Sequence, residues 1–263
     1  MSRFSLTVLG TRGSMTVSGK DYLKYGGMTS CYLIRAGEQV LLLDAGSGII
    51  RAPEITECDP VILISHLHLD HVMGLGMYPR LSKKGKRTVL YLPAKDDKDA
   101  RDMLDSLYSP PLWPCSLTAY SGKLDVHALN LPMTVGSITV EGIEGNHPGG
   151  CIIMKVSFEG KSIVYATDYE YEKRSFMQLK EFASGTDLLL YDGQYTEEEY
   201  RTRKGFGHST AEKGIELMNA CGAKRLLLVH HDPQSTDSEL ERRECLLPAL
   251  NVNYAKENEE ILL

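Results

Sequence analysis

The sequence predicts a layered α/β fold, and three observations carry that expectation. Short β-rich apolar runs such as Val61-Ile62-Leu63-Ile64 recur along the chain. Between them lie stretches whose apolar residues repeat at helical spacing, and strands and helices recur in both halves. No internal repeat or low-complexity linker divides the 263 residues, a length that suits one large core, so residues 1–263 are expected to form a single domain.

Strands come first, at 5–9, 31–35, 39–44 and 61–65, separated by turns that carry Gly10, Gly13, Gly26-Gly27, Gly37 and Gly46. Residues 95–107 place Ala100, Met103, Leu104 and Leu107 on one helical face, and Pro110-Pro111 prevents continuation. Strands return at 137–143, 151–158 and 161–167, the last two joined by a Glu159-Gly160 hairpin turn, and again at 187–191. A helix over 210–220 is opened by Ser209-Thr210-Ala211-Glu212, read as a capping box, and closes near Gly222. A strand at 225–229 and a helix around 238–247 complete the pattern.

Composition narrows the function. Hydrophobic content of 42% and charged content of 24% are those of an ordinary globular protein, which excludes a disordered or collagen-like chain. A net charge of −6 argues against holding long nucleic acid through phosphate neutralisation, which needs a basic face. The only basic cluster, Lys83-Lys84-Gly85-Lys86-Arg87, reads as a solvated loop. Six scattered cysteines without CxxC spacing, and an N-terminus without a secretory apolar segment, predict free thiols in a reducing cytoplasm. No apolar run approaches the roughly 18–20 residues that span a bilayer, so no membrane partner is expected.

The chemistry concentrates in His66-Leu67-His68-Leu69-Asp70-His71, four metal-ligand side chains directly after a strand. Imidazole and carboxylate are the donors that borderline divalent ions prefer, and so dense a run could hold more than one. Three other candidates sit at predicted strand ends: His147 in Gly145-Asn146-His147-Pro148-Gly149-Gly150, Asp168 after 161–167, and His230 after 225–229. Each alone reads as a turn or solvated loop residue. Together with the run they make seven ligands, enough for two ions about 3.5–4 Å apart. At the last position His231 competes with His230, and spacing alone does not decide between them.

With these residues the chain resembles the metallo-β-lactamase-fold hydrolases, whose HxHxDH motif is matched by His66, His68, Asp70 and His71. The resemblance covers nearly the whole chain. It implies a four-layer αββα sandwich of two mixed β-sheets flanked by helices. It also implies two divalent ions, zinc expected and manganese the alternative: one on His66, His68 and His147, the other on Asp70, His71 and His230, with Asp168 bridging. That family places its last ligand immediately after the strand, which favours His230, and Asp44 resembles its carboxylate that orients a ligand histidine. Dimers are common in the family, the sole basis for expecting a homodimer.

A second motif selects a branch. Gly205-Phe206-Gly207-His208-Ser209-Thr210 resembles the GHST segment of ribonuclease Z-like phosphodiesterases, in which the histidine protonates the leaving oxygen, and Asp192 stands where that branch carries the acid that orients it. An alkoxide is a poor leaving group, so proton donation by His208 paired with Asp192 suits a phosphodiester. Asp70 is expected to orient the attacking water as well. The long basic arm of tRNA-processing relatives is missing: His147 and Asp168 are only 168 − 147 = 21 positions apart. The expected substrate is therefore a small phosphodiester, a cyclic nucleotide or nucleotide-derived diester. Alternatives are hydrolysis of a lactone, thioester or carboxylic ester at the same metals, or a nucleotide sensor without turnover. A di-iron redox role is disfavoured, since oxygen-reducing members usually carry Glu where His68 stands.

Overall fold

The computed structural model describes residues 3–247 and 251–263. Among them the strands are β1 (Phe4–Gly10), β2 (Cys31–Ala36), β3 (Gln39–Leu43), β4 (Val61–Leu63), β5 (Arg87–Leu92), β6 (Lys123–Ala128) and β7 (Met133–Val135), then β8 (Ile138–Gly145), β9 (Cys151–Phe158), β10 (Lys161–Ala166), β11 (Leu188–Asp192), β12 (Leu226–Val229), β13 (Val252–Tyr254) and β14 (Glu260–Leu262). The helices are α1 (Leu69–Val72), α2 (Asp97–Leu107), α3 (Lys173–Phe182), α4 (Glu197–Arg203), α5 (Ala211–Cys221) and α6 (Asp237–Glu244). No helix among these residues is long and apolar enough to cross a membrane.

The strands form two mixed seven-stranded sheets, ordered β14-β1-β2-β3-β4-β5-β6 and β13-β12-β11-β10-β9-β8-β7. Each has an antiparallel half and a parallel half, the parallel members being β3 to β6 in one and β10 to β13 in the other. The central strands are apolar throughout because both faces are covered. Leu41, Leu43 and Leu63 point inward and pack with Ile163, Leu190, Leu227 and Val229 of the opposite sheet. The alternating Leu42, Ile62 and Leu90 pack outward with Ala100 and Leu104 of α2, and Leu189, Leu226 and Leu228 with Leu217 of α5. The result is the four-layer αββα sandwich.

Leu190 is fully buried between the sheets. Leu190→Ala is expected to cost about 2–5 kcal/mol of stability, read as a lower midpoint in thermal or urea unfolding.

The parallel strands set the site, because their carboxyl ends all lie along one edge of the sandwich, where open α/β sheets bind ligands. Three strands stop where a functional residue adopts left-handed backbone: Asp44 after β3 with φ 60°, Asp168 after β10 with φ 51°, and His230 after β12 with φ 63°. Such conformations cost about 1–3 kcal/mol each and persist where surrounding contacts hold them. At Asp44 one such contact is its own N–H, which donates to Leu63 O at 2.9 Å. For this reason the strands expected over 39–44 and 61–65 end early, at Leu43 and Leu63.

One expected device is corrected. The helix N-cap is Thr210, whose Oγ1 accepts from Lys213 N at 3.3 Å, so Glu212 falls one residue short of the box position, and the Ser209 hydroxyl pairs with Tyr191 OH instead. A complete capping box forms at α4, between Thr196 and Glu199. The predicted 151–158 and 161–167 hairpin is present, its turn residues Glu159 and Gly160 both at positive φ, as a type I′ turn requires.

Candidate active site

Six of the eight histidines gather at one edge of the sandwich, with their ring nitrogens turned toward two carboxylates. Ligand atoms of His66, His68, His147 and Asp168 lie within 4.8 Å of one another, as do those of Asp70, His71, Asp168 and His230. Asp168 belongs to both groups. Its Oδ1 is 3.7 Å from Nε2 of both His66 and His147, while Oδ2 is 3.1 Å from His71 Nε2 and 3.3 Å from His230 Nε2. One carboxylate thus presents one oxygen to each cluster. All seven residues expected from the sequence are brought together.

The competition between the two adjacent histidines is resolved by backbone conformation. The left-handed turn at His230 sends its ring toward Asp70, 3.1 Å away, whereas His231 turns behind the site and lies within hydrogen-bond distance, 2.8 Å, of Ala255 O. Burial pushes the His231 pKa down to about 3, so it stays neutral. The remaining histidine, His127, pairs with Asp97 away from the site.

Four of the ligand rings, those of His66, His71, His147 and His230, are aimed by a hydrogen bond at the far nitrogen. Asp44 accepts from His71 Nδ1 (2.6 Å), Tyr165 OH (2.7 Å), Ser65 Oγ (2.8 Å) and Ser65 N (2.7 Å), which fixes the His71 ring. Because the Ser65 proton goes to Asp44, its oxygen accepts from His66 Nδ1 at 3.0 Å. His147 Nδ1 donates to Gly207 O at 2.9 Å, and His230 Nδ1 to Gln194 Oε1 at 2.8 Å. Asp70 Oδ2 is held by the Ser14 amide at 2.7 Å, so the N-terminal loop braces the site.

These bonds leave the second ring nitrogen of each of these histidines facing inward, and that is the test of whether a cation fits. His66 Nε2 is buried without a hydrogen-bond partner, His68 Nδ1 and His147 Nε2 are 3.0 Å apart, and His71 Nε2 and His230 Nε2 are 3.4 Å apart. Lone pairs so placed repel one another unless positive charge lies between them, and buried acceptors without a donor are costly. Burial lowers the His66 pKa to about 2 and lowers that of His147, which favours the neutral ligand form. Burial acts the same way on His71 and His230 but is outweighed by Asp168 with the neighbouring carboxylates, raising His71 strongly and His230 to about 9. Burial opposes ionisation of Asp70 and Asp168, yet the surrounding histidines hold both pKa values below the usual range. Nitrogen and oxygen donors converging in a pocket that demands positive charge fit divalent metal ions.

His208 stands beside this cluster. Its Nδ1 lies 2.8 Å from Asp192 Oδ2 and 3.9 Å from Asp168 Oδ1, and its ring stacks on His230 at 4.8 Å between centroids. Asp192 is itself fixed by the amides of Gln194 and Ser209.

Sequence reading missed three supports: Gln194, the Ser14 amide and Glu170. Buried Glu170 accepts from Gly205 N (2.7 Å), Gly207 N (2.9 Å) and Tyr200 OH (2.9 Å), pinning the loop that carries His208 and the carbonyl that aims His147. Its position two residues after Asp168, like that of Gln194 two after Asp192, is the one local signal that could have found them. The loop has no slack. A Cβ on Gly207 would lie 2.2 Å from His147 Nδ1, at a φ of +90° that disfavours any side chain. Gly207→Ala is expected to weaken metal affinity about 10–100-fold, measured by chelator competition, with the unfolding midpoint recorded alongside.

Comparison with known proteins agrees with this geometry. Residues 40–231 match the beta-lactamase superfamily domain. The chain is 24% identical to the probable metallo-hydrolase YhfI of Bacillus subtilis over 86% of each chain, and the YhfI crystal structure superposes with a TM-score of 0.76 over the whole of both chains at 20% identity. It is also 24% identical to ribonuclease Z of Pyrococcus horikoshii, over 80% of this chain and 82% of the relative. A diphosphatase of the PhnP family aligns with a TM-score of 0.72 at 20% identity, over 98% of this chain and 97% of the other. The matched span contains every histidine and aspartate of the two clusters, and on that match the chain belongs to the beta-lactamase superfamily, as a metallo-hydrolase of that fold.

Proposed function

We propose that the protein is a dinuclear phosphodiesterase acting on a small phosphodiester, a cyclic nucleotide or nucleotide-derived diester. His66, His68 and His147 would hold one ion and Asp70, His71 and His230 the other, with Asp168 facing both groups. When bound, the ions supply an activated water and neutralise charge on the phosphoryl oxygens. Asp70, fixed by the Ser14 amide, orients that water. Asp192 engages His208 Nδ1, so Nε2 is the nitrogen that delivers a proton to the departing oxygen.

The observation that carries this reading is the Asp192–His208 pair beside the clusters, 2.8 Å apart and itself 3.9 Å from Asp168. A proton donor at that point is of most use when the leaving group is an alkoxide. Similarity to a ribonuclease and a diphosphatase supports phosphate chemistry. The interval of 168 − 147 = 21 positions from His147 to Asp168 is spent on the β9–β10 hairpin, with no basic arm, which together with the net charge of −6 supports a small substrate over tRNA.

The test is a substrate panel with Zn²⁺ and Mn²⁺ assayed separately: cyclic mononucleotides, cyclic dinucleotides, bis-p-nitrophenyl phosphate, short RNA, lactones and thioesters. Hydrolysis of diesters in preference to acyl compounds is expected. Turnover of lactones or thioesters with none of bis-p-nitrophenyl phosphate would replace this reading by an acyl-ester hydrolase.

A further inference from the structure

A cavity of about 520 Å³ lies beside the first cluster on the same edge of the sandwich. Its walls come from near strand ends: Leu67 follows β4, Pro93 follows β5, Leu131 follows β6, Ile143 lies two residues before the end of β8 and Ile152 is the second residue of β9, while Met103 of α2 contributes from the helix layer. His66 and the Gly149-Gly150 turn are also part of its lining, so the cavity adjoins the residues assigned to the first ion. Its volume is in the range of small-molecule sites. Among the described residues no lysine or arginine lines it, and its one carboxylate is Glu144.

Those walls have a definite preference. An anionic group there would lose its hydration against apolar side chains and meet a carboxylate, with no cation to compensate. A neutral planar or apolar group would gain by burial at roughly 25 cal/mol per Å². The positive charge of the site is confined to the metal clusters, so an uncharged arm and the phosphoryl group are sorted to neighbouring places.

We infer that this cavity is a subsite for the uncharged part of the diester, the base of a cyclic nucleotide or the retained arm of an open diester, and that it selects a nucleobase or similar neutral ring over an arm carrying a second phosphate. This deepens the phosphodiesterase reading and rests on it. The substrate class becomes a mononucleotide diester, and an extended polynucleotide is refused because its next phosphate would face Glu144 and the apolar wall.

The experiment compares two esters with the same leaving group, adenosine 5′-(p-nitrophenyl phosphate) and methyl p-nitrophenyl phosphate, on the metal-loaded enzyme. The ratio of their kcat/KM values isolates the retained arm and cancels any fraction of misfolded or metal-poor protein. In the wild type it is expected to favour the adenosine ester by about tenfold or more, the yield of roughly 60 Å² of buried ring. Met103→Trp and Leu131→Trp, which place a larger side chain at two residues lining the cavity, are each expected to bring the ratio to within about twofold of one. A wild-type ratio near one, or a preference that survives both substitutions, would overturn the subsite. Hydrolysis of neither ester by the wild type would instead overturn the phosphodiesterase reading beneath it.

Discussion

Replacing His208 by alanine is expected to slow hydrolysis of a cyclic nucleotide about 10²–10⁴-fold while slowing p-nitrophenyl diesters by less than about tenfold. The asymmetry follows from the leaving group. A ribose alkoxide needs a proton as the P–O bond breaks, and in the proposed mechanism His208 Nε2 is the donor, since Asp192 engages Nδ1. p-Nitrophenolate departs without that help. His208 also stacks on His230, so metal content is measured in the same preparation. Equal losses on both esters at unchanged metal content would remove the general-acid role.

Asp168→Ala is expected to have a larger effect, at least about 10³-fold on every substrate, with metal content falling from two ions per chain to one or none. Asp168 presents its two oxygens to different clusters. Its removal also leaves Nε2 of His66, His71, His147 and His230 facing one another with one fewer negative charge between them. Asp168→Glu keeps the charge but not the reach. It is expected to recover part of the metal content and less of the rate, because the carboxylate enters from a left-handed backbone position set by β10. Full activity with one ion per chain in Asp168→Ala would show that the clusters work independently.

The parts of this molecule that were legible in the sequence are those whose signal is local. The ligand run was visible because four donors fall within six residues after an apolar strand. Asp168 and His230 were visible because parallel strands deliver the residue following them to one edge. Asp192 and His208 were visible through a motif, and the structure places them in contact. Supports acting across long separations were not. Gln194 reaches His230 across 36 residues, Ser14 N reaches Asp70 across 56, and Glu170 works through backbone amides 35 and 37 residues away.

The same distinction explains the elements that sequence reading passed over. β14 has three residues and exists as a strand only through pairing with β1, 255 or so positions earlier in the chain. β5 begins inside the basic run, where Arg87 is exposed and pairs with Asp125 of β6, so its first residue reads as loop. β6, Lys-Leu-Asp-Val-His-Ala, alternates polar and apolar and carried a usable strand signal. The capping box was misplaced by one residue because Ser209 and Thr210 are both competent caps. Tyr191, across the sheet end, takes the Ser209 hydroxyl and leaves Thr210 to the helix.

The central claim is that seven side chains hold two ions that act together on a phosphodiester. It is tested most directly by titrating the metal-free protein with Mn²⁺ or Zn²⁺ while following bis-p-nitrophenyl phosphate hydrolysis and bound metal in the same samples. The account predicts that activity reaches its plateau only as the second ion per chain binds. A plateau at one ion per chain, or no diester hydrolysis at two, would contradict it.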